Sequence, residues 1–212
     1  NPFPFQGKLL EDKYAYLSLN GFLGMDSISS DNYTDSLQRV VKSLYAKKPL
    51  GWIIDIRFNS GGWPYPMIAG LGPILGEGVK AYKVSPNDSV TEFYYAKSKT
   101  EYIELSDSVF YLPKELPVAV LIGEETGSAA ELLALAFKGN DRTALIGTPT
   151  YGVSTGLRGF FMPDSVQFAV SNSYMTDRFK NGNGEPIQPD IYAESAFKVY
   201  EQAYEWINEN KE

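Results

Sequence analysis

The sequence predicts an α/β fold, and three observations carry that expectation. Short, nearly continuous apolar runs recur at residues 51–56 (GWIIDI), 116–123 (LPVAVLIG) and Thr143–Gly147 (TALIG). Runs this apolar suit strands buried on both faces, as in sheets built through helical crossovers. Amphipathic stretches of helical spacing separate them, and no Pro/Gly/Ser-rich linker divides the chain, so one domain over 1–212 is expected.

Taken in order, Tyr14–Leu19 (YAYLSL) reads as the opening strand. Residues 33–46 place Leu37, Val40, Val41, Leu44 and Tyr45 at helical spacing, with Asp31 or Asn32 as the cap. The buried strand 51–56 runs into RFNSGGWPYP, whose Gly and Pro content marks a shaped loop, and then MIAGLGPIL, a short Gly-interrupted helix. Residues 79–105 alternate Tyr, Phe and Val with polar residues, as an inserted β-meander would. Strand 116–123 leads to a helix over 129–138, closed by Gly139 and Asn140. After the Thr143–Gly147 strand, GFFM and VQFAVSNSYM flank a Pro163-Asp164 turn and form a hairpin. Residues 197–207 are a last amphipathic helix. The alternation gives an α/β core with right-handed crossovers.

Composition narrows the chemistry. The 212 residues carry a net charge of −7, which argues against a nucleic-acid surface. No stretch approaches the ~18 apolar residues of a membrane span. Cys and His are both absent, so thiolate chemistry, a His base and Cys- or His-ligated zinc are all excluded. No carboxylate cluster of metal-ligand spacing and no Walker-type loop is present. Neither a metal nor a nucleotide cofactor is expected. The opening NPFPF, without Met, reads as a piece of a longer protein whose N-terminal region is absent.

One segment raises a chemical question. In EETGSAAELLALAF (124–137), Ser128 stands where a strand turns into an apolar helix. There the helix dipole and the free first-turn N–H groups favour negative charge, and the Ala129 N–H is placed to hold an oxyanion. Gly127, Ala129 and Ala130 leave room for a substrate carbonyl. The competing reading is a helix cap, because Ser128 and Glu131 have capping-box spacing. Two further strings bear on the choice. DIRFNSGG (55–62) ends a strand in a glycine pair able to expose backbone N–H groups. GTPTYGVSTG (147–156) is a Gly-rich loop after a third buried strand. Three loops thus follow three apolar strands, where sites form in open α/β sheets.

With these strings together, the chain resembles the tail-specific, or C-terminal-processing, serine protease family, which includes the tricorn core protease. GWIIDIRFNSGG resembles the family's strand followed by Asp-Leu-Arg-x-Asn-x-Gly-Gly. TGSAAE (126–131) is similar to its Thr-Ala-Ser-Ala-Ala-Glu nucleophile motif. RTALIGTPTYGVSTG resembles its Arg-x-x-x-Ile-Gly-x-x-Thr-x-Gly segment, and IQPD (187–190) its closing Val-x-Pro-Asp. The resemblance covers residues 14–191. It implies a ClpP/crotonase-like spiral of βα units with a mixed sheet, and peptide-bond hydrolysis through a Ser128 acyl-enzyme. Gly61 or Gly62, with Ala129, would form the oxyanion hole.

The sequence departs from the family at the general base. In the processing branch a Lys follows the Gly of Thr-x-Gly; here Val153 follows Gly152. In the tricorn-like branch a His lies on the opening strand, near Ser18 here, helped by a downstream Glu where Glu185 stands. Glu185, Asp177 and Tyr151 are the candidate bases within the chain, Glu185 foremost; a carboxylate would need burial or a like charge to raise its pKa. Glu131 and Gly152 are supporting residues, Asp177 and Arg178 a loop ion pair, and Asp55 and Arg57 structural. Trp63, Tyr65 and Tyr151 either line a groove or pack. The expected partner is a peptide or protein substrate, with an N-terminal domain or a second copy of the chain alongside, and the expected location is extracytoplasmic. The alternative function is a catalytically inactive relative that binds peptides or small hydrophobic ligands. An acyl-CoA enzyme is disfavoured, since no basic cluster suits a nucleotide phosphate.

Overall fold

The computed structural model describes residues 5–24, 26–86, 89–95, 111–113, 116–164 and 166–211. In chain order these form β1 (Phe5–Leu10), β2 (Tyr14–Leu19), α1 (Ser27–Tyr45), β3 (Gly51–Asp55), α2 (Pro64–Gly70), α3 (Gly72–Leu75), β4 (Gly78–Ser85) and β5 (Ser89–Tyr95). There follow β6 (Val118–Ile122), α4 (Ala129–Phe137), β7 (Thr143–Gly147), β8 (Thr155–Phe161), β9 (Gln167–Asp177), β10 (Ile191–Tyr192) and α5 (Ala196–Asn210).

Two sheets result. The larger has the order β1-β2-β3-β6-β7-β10. It is mixed: β1 runs antiparallel to β2, and the remaining neighbours are parallel. The smaller, β5-β4-β9-β8, is antiparallel throughout. Because side chains alternate along a strand, Trp52 and Ile54 of β3 face one layer while Ile53 faces the other. On the first face Leu17, Val120 and Leu145 pack with Leu37 and Val41 of α1 and with Leu132 and Leu133 of α4. On the second face Ala119, Leu121 and Ile146 lie under Val199, Ala203 and Ile207 of α5. Covering on both sides explains why these strands read as unbroken apolar runs.

Helix α4 is apolar all round, and all nine of its residues are buried. It lies between the larger sheet and strands β4 and β9 of the smaller one. A helix with two apolar neighbours needs no polar face.

The expected elements recur with three adjustments. Helix α1 starts at Ser27, six residues before the first apolar-periodic position, because the Asp26 side chain accepts from the Ser29 N–H at 2.8 Å and caps a polar first turn. Neither Asp31 nor Asn32 is the cap. Strand β1 was not anticipated: with three of its six residues exposed (GlnGlyLys), it shows no buried-strand signal and forms by pairing with β2. The expected meander is β4 and β5 as far as Tyr95; its remainder, 96–105, lies outside the described residues.

Candidate active site

Three loops leave the carboxyl ends of β3, β6 and β7 and are stitched together by buried polar groups. Thr126, fully buried, donates its hydroxyl to the Ile56 carbonyl at 2.9 Å and accepts from the Gly123 N–H at 3.0 Å. Asn59, also fully buried, receives the Gly127 N–H on its carbonyl and the Gly61 N–H on Oδ1, each at 3.0 Å. The Tyr151 N–H donates to the Thr126 carbonyl at 2.9 Å. Buried polar atoms must find partners, and here three of the bonds, Thr126 to Ile56, Gly127 to Asn59 and Tyr151 to Thr126, cross from one loop to another, which fixes the three relative to one another.

Ser128 sits at the end of this stitching with φ 53° and ψ −116°. That region is sparsely populated for any residue with a side chain, and holding Ser there costs about 1–3 kcal/mol. It makes a sharp, strained turn between β6 and α4. Ser128 and Glu131 do stand as a capping box. Its weight falls on one arm. Glu131 Oε2 accepts from the Ser128 N–H at 2.9 Å, whereas the Glu131 N–H donates to the Ser128 carbonyl at 2.9 Å and the Ser128 side chain makes no cap hydrogen bond.

Gly61 of the glycine pair lies against this elbow, and Gly62 lies against the backbone of Phe22. Gly61 and Gly62 have φ of 115° and 117°, accessible in practice only to glycine. A Cβ on Gly61 would lie 2.9 Å from Ser128 Cβ and 3.2 Å from the Ala129 nitrogen, so any side chain there would displace the Ser128 turn. The Gly61 N–H is committed to Asn59 Oδ1. Among the described residues, the Gly62 and Ala129 N–H groups donate to no protein acceptor.

Glu131 is the polar centre of the site. It is fully buried, and no cation is paired with it among the described residues. Its two oxygens accept four hydrogen bonds: Thr150 Oγ1 at 2.6 Å and the Gly152 N–H at 2.9 Å on Oε1, and the Ser128 and Val153 N–H groups, each at 2.9 Å, on Oε2. A carboxylate has about four acceptor sites, and all are filled. Thr150 extends the chain, because its hydroxyl oxygen accepts from the Ile187 N–H at 2.8 Å. One oxygen therefore holds the backbones of Ser128 and Val153 together, which puts the residue after Gly152 beside the Ser128 turn.

The candidate bases lie elsewhere in hydrogen-bonding terms. Glu185 is exposed, and its carboxylate accepts from Asn183 Nδ2 at 2.8 Å. Asp177 is buried, but it closes its own loop by accepting from the Phe179 and Asn181 N–H groups at 2.8 and 2.9 Å. Tyr151 is 69% exposed and forms one wall of an open groove with Ser60, Glu125, Gly127 and Val153. None of the three hydrogen-bonds to the Ser128 side chain. The expected Asp177–Arg178 ion pair is not made; Arg178 donates instead to the Ala136 carbonyl at 2.9 Å. Trp63 and Tyr65 pack on the core, with ring centroids 4.8 Å apart.

Behind the glycine loop, Asp55 pairs with Arg57 through two bonds of 2.9 and 2.7 Å and accepts from the Tyr16 hydroxyl at 2.8 Å. The hydrogen bonds to Asp55 hold the Arg57 guanidinium well above its already high ordinary pKa. Burial, then the bonds to Tyr200 and Asp55, pushes the Tyr16 phenol far above its usual range. This network anchors the base of the loop that carries Gly61 and Gly62. Ser18 pairs in register with Asp55 on the neighbouring strand.

The sequence pattern of peptidase family S41 matches residues 13–193. The chain belongs to that family. As an S41 chain it is 31% identical over 203 residues to the nisin-resistance protein of Lactococcus lactis subsp. lactis, covering 93% of this chain and 61% of that protein. It is 25% identical over 193 residues to carboxyl-terminal-processing peptidase 2 of the Arabidopsis thaliana chloroplast, covering 91% of this chain and 34% of that one. Among solved structures, a lipoprotein from Streptococcus agalactiae superposes with a TM-score of 0.82 at 22% identity, over 97% of this chain and 70% of that one. The photosystem II D1 C-terminal processing protease gives 0.69 at 18% identity, over 90% and 48%. The S41 protease fold is thus the fold of this chain, which spans less than two thirds of the length of these curated relatives.

Sequence reasoning passed over Asn59, Thr126 and Thr150. Their signal was a hydrogen-bonding side chain inside each glycine-rich string, where the loop backbones need partners.

Proposed function

We propose that this chain is a serine-type peptidase domain in which Ser128 is the nucleophile. Ser128 Oγ attacks the scissile carbonyl carbon, and its proton passes to a base. The oxygen of the tetrahedral intermediate then accepts from the Gly62 and Ala129 N–H groups. The C–N bond breaks, the amine leaves with a proton, and water hydrolyses the acyl-enzyme. The observation that carries this reading is the strained Ser128 elbow seated on Gly61, with the Ala129 N–H uncommitted at the elbow and the Gly62 N–H uncommitted one residue beyond Gly61. An ordinary helix cap needs neither strain nor a glycine pair. The Tyr151 groove is the proposed seat of an extended peptide, and the site is read as working outside the cytoplasm.

No described side chain hydrogen-bonds to Ser128 Oγ as a base, and Val153 occupies the position that follows Thr-x-Gly. The proton acceptor is therefore assigned to a group from a further segment or a second subunit. The same observation favours a second reading, a hydrolytically silent domain that retains the peptide groove. Fluorophosphonate labelling of the full-length protein separates the two: Ser128-dependent labelling, lost in Ser128→Ala, is expected of the peptidase. Absence of labelling in the wild type, together with retained peptide binding, would establish the silent domain. Val153→Lys, which places an ammonium beside the elbow, is expected to raise the labelling rate above wild type.

A further inference from the structure

The hairpin of β8 and β9 is the least explained part of the surface. Of seventeen large apolar side chains exposed among the described residues, eight lie between 157 and 174. Strand β8 is the end strand of its sheet, and residues 157–161 and 167–171 are all exposed, so both faces of the hairpin meet solvent. Phe161 is 79% and Leu157 68% exposed. Aromatic residues present ~150–250 Å² each, so the hairpin exposes several hundred Å² of apolar surface.

Register separates the two faces. The pairs Leu157↔Ser171, Gly159↔Ala169 and Phe161↔Gln167 share one face; Arg158↔Val170 and Phe160↔Phe168 share the other. The second face is partly self-covered, because Phe160 and Phe168 stack at 5.0 Å and Arg158 lies over Phe160 at 5.4 Å. Among the described residues the first face has no such cover, and its residues 157, 159, 161, 167, 169 and 171 carry no charge in a chain of net −7. Its centre is a notch. A Cβ on Gly159 would meet nothing within 4 Å, and Gly159 needs no positive φ. Neither crowding nor backbone conformation within this chain calls for glycine there. A glycine inside a strand often sits where another backbone or a ligand approaches closely.

We infer that this face is a homodimer interface: two hairpins pack antiparallel about a two-fold axis, Phe161 of each copy filling the notch over Gly159 and Ala169 of the other. Phe161 and Gly159 are two residues apart, ~7 Å along the strand, so one two-fold operation seats both knobs at once. Such a contact is isologous and closes at two subunits. An uncharged face is also where two acidic chains approach with least repulsion.

Sedimentation velocity of the 212-residue chain over a wide concentration range tests this. The wild type is expected to form a dimer. Phe161→Lys, which puts a charge on the knob, and Gly159→Phe, which fills the notch, should each weaken the dimer by roughly thirtyfold or more. Both sites are open to solvent, so circular dichroism should report an unchanged fold. Arg158→Glu, on the opposite face, should leave the dimer intact. A wild type that stays monomeric at the highest concentration would overturn the proposal. So would a dimer that survives both Phe161→Lys and Gly159→Phe, or one that is lost only in Arg158→Glu.

Discussion

Two helices of this protein have a serine at the N-cap position, and the two serines are held in opposite ways. Ser195, ahead of α5, has φ −95° and ψ 148°, and its side chain accepts from the Lys198 N–H at 3.2 Å. That is an ordinary N-cap in extended backbone, satisfying one of the orphan amides of the first turn. Ser128, ahead of α4, has φ 53° and ψ −116° and leaves its hydroxyl out of the cap. The difference lies in what surrounds them. The Ser128 N–H is pulled onto Glu131, the Gly61 backbone lies so close that no side chain would fit between it and Ser128 Cβ, and Thr126 and Asn59 fix the turn before it. A strained serine persists only where neighbours over-determine it. Backbone strain, set by these neighbours, is what separates Ser128 from the ordinary cap at Ser195.

The largest effect that could break this contrast is removal of the carboxylate that holds Ser128. Glu131→Ala leaves four donors without acceptors; at ~1–3 kcal/mol for each buried unsatisfied group, it should lower stability by several kcal/mol in chemical denaturation. Lys198→Ala, at the same helix position after Ser195, should change it by no more than about 0.5 kcal/mol. Thr150→Val, which cuts only the Glu131–Thr150–Ile187 link, should cost ~1–3 kcal/mol. If Glu131→Ala proves as mild as Lys198→Ala, the comparison fails.

The glycine substitutions differ in sign. Ser128→Gly relieves the backbone and should stabilise the fold by about 1 kcal/mol, while Ser195→Gly, which loses a cap, should destabilise it by a few tenths. Equal signs for the two in thermal melts would show that Ser128 is not strained. On the α5 side, pH gives a further handle. Burial raises the phenol pKa of Tyr16, as it does for Tyr33 and Tyr95. Groups with raised folded-state pKa values contribute stability that is complete below the unfolded value of ~10 and lost as pH rises above it. The melting temperature should fall from about pH 10 upward, and Tyr16→Phe should lessen that slope.

Much of this was legible in the sequence. Gly51–Asp55, Val118–Ile122 and Thr143–Gly147 announce themselves because both faces are covered, and the three glycine-rich loops follow from their ends. Ser128 could be singled out but not assigned: a capping box and a nucleophile elbow share one spelling, and only φ and ψ separate them. Glu131 read as a cap partner because the sequence shows its spacing to Ser128, not its four bonds, three of which reach residues nineteen to twenty-two positions away. Strand β1 was hidden because its stability comes from pairing with β2 rather than from buried side chains.

The central claim is that the Gly62 and Ala129 amides face a carbonyl oxygen delivered to Ser128. Amide NMR of the protein titrated with a peptidyl boronic acid, which forms a tetrahedral adduct on a serine oxygen, tests it most directly. The account predicts that the Gly62 and Ala129 resonances shift together on adduct formation, that the Gly61 amide, already bonded to Asn59, moves far less, and that Ser128→Ala abolishes all of it. An adduct that forms on Ser128 while the Gly62 and Ala129 resonances stay in place would contradict it.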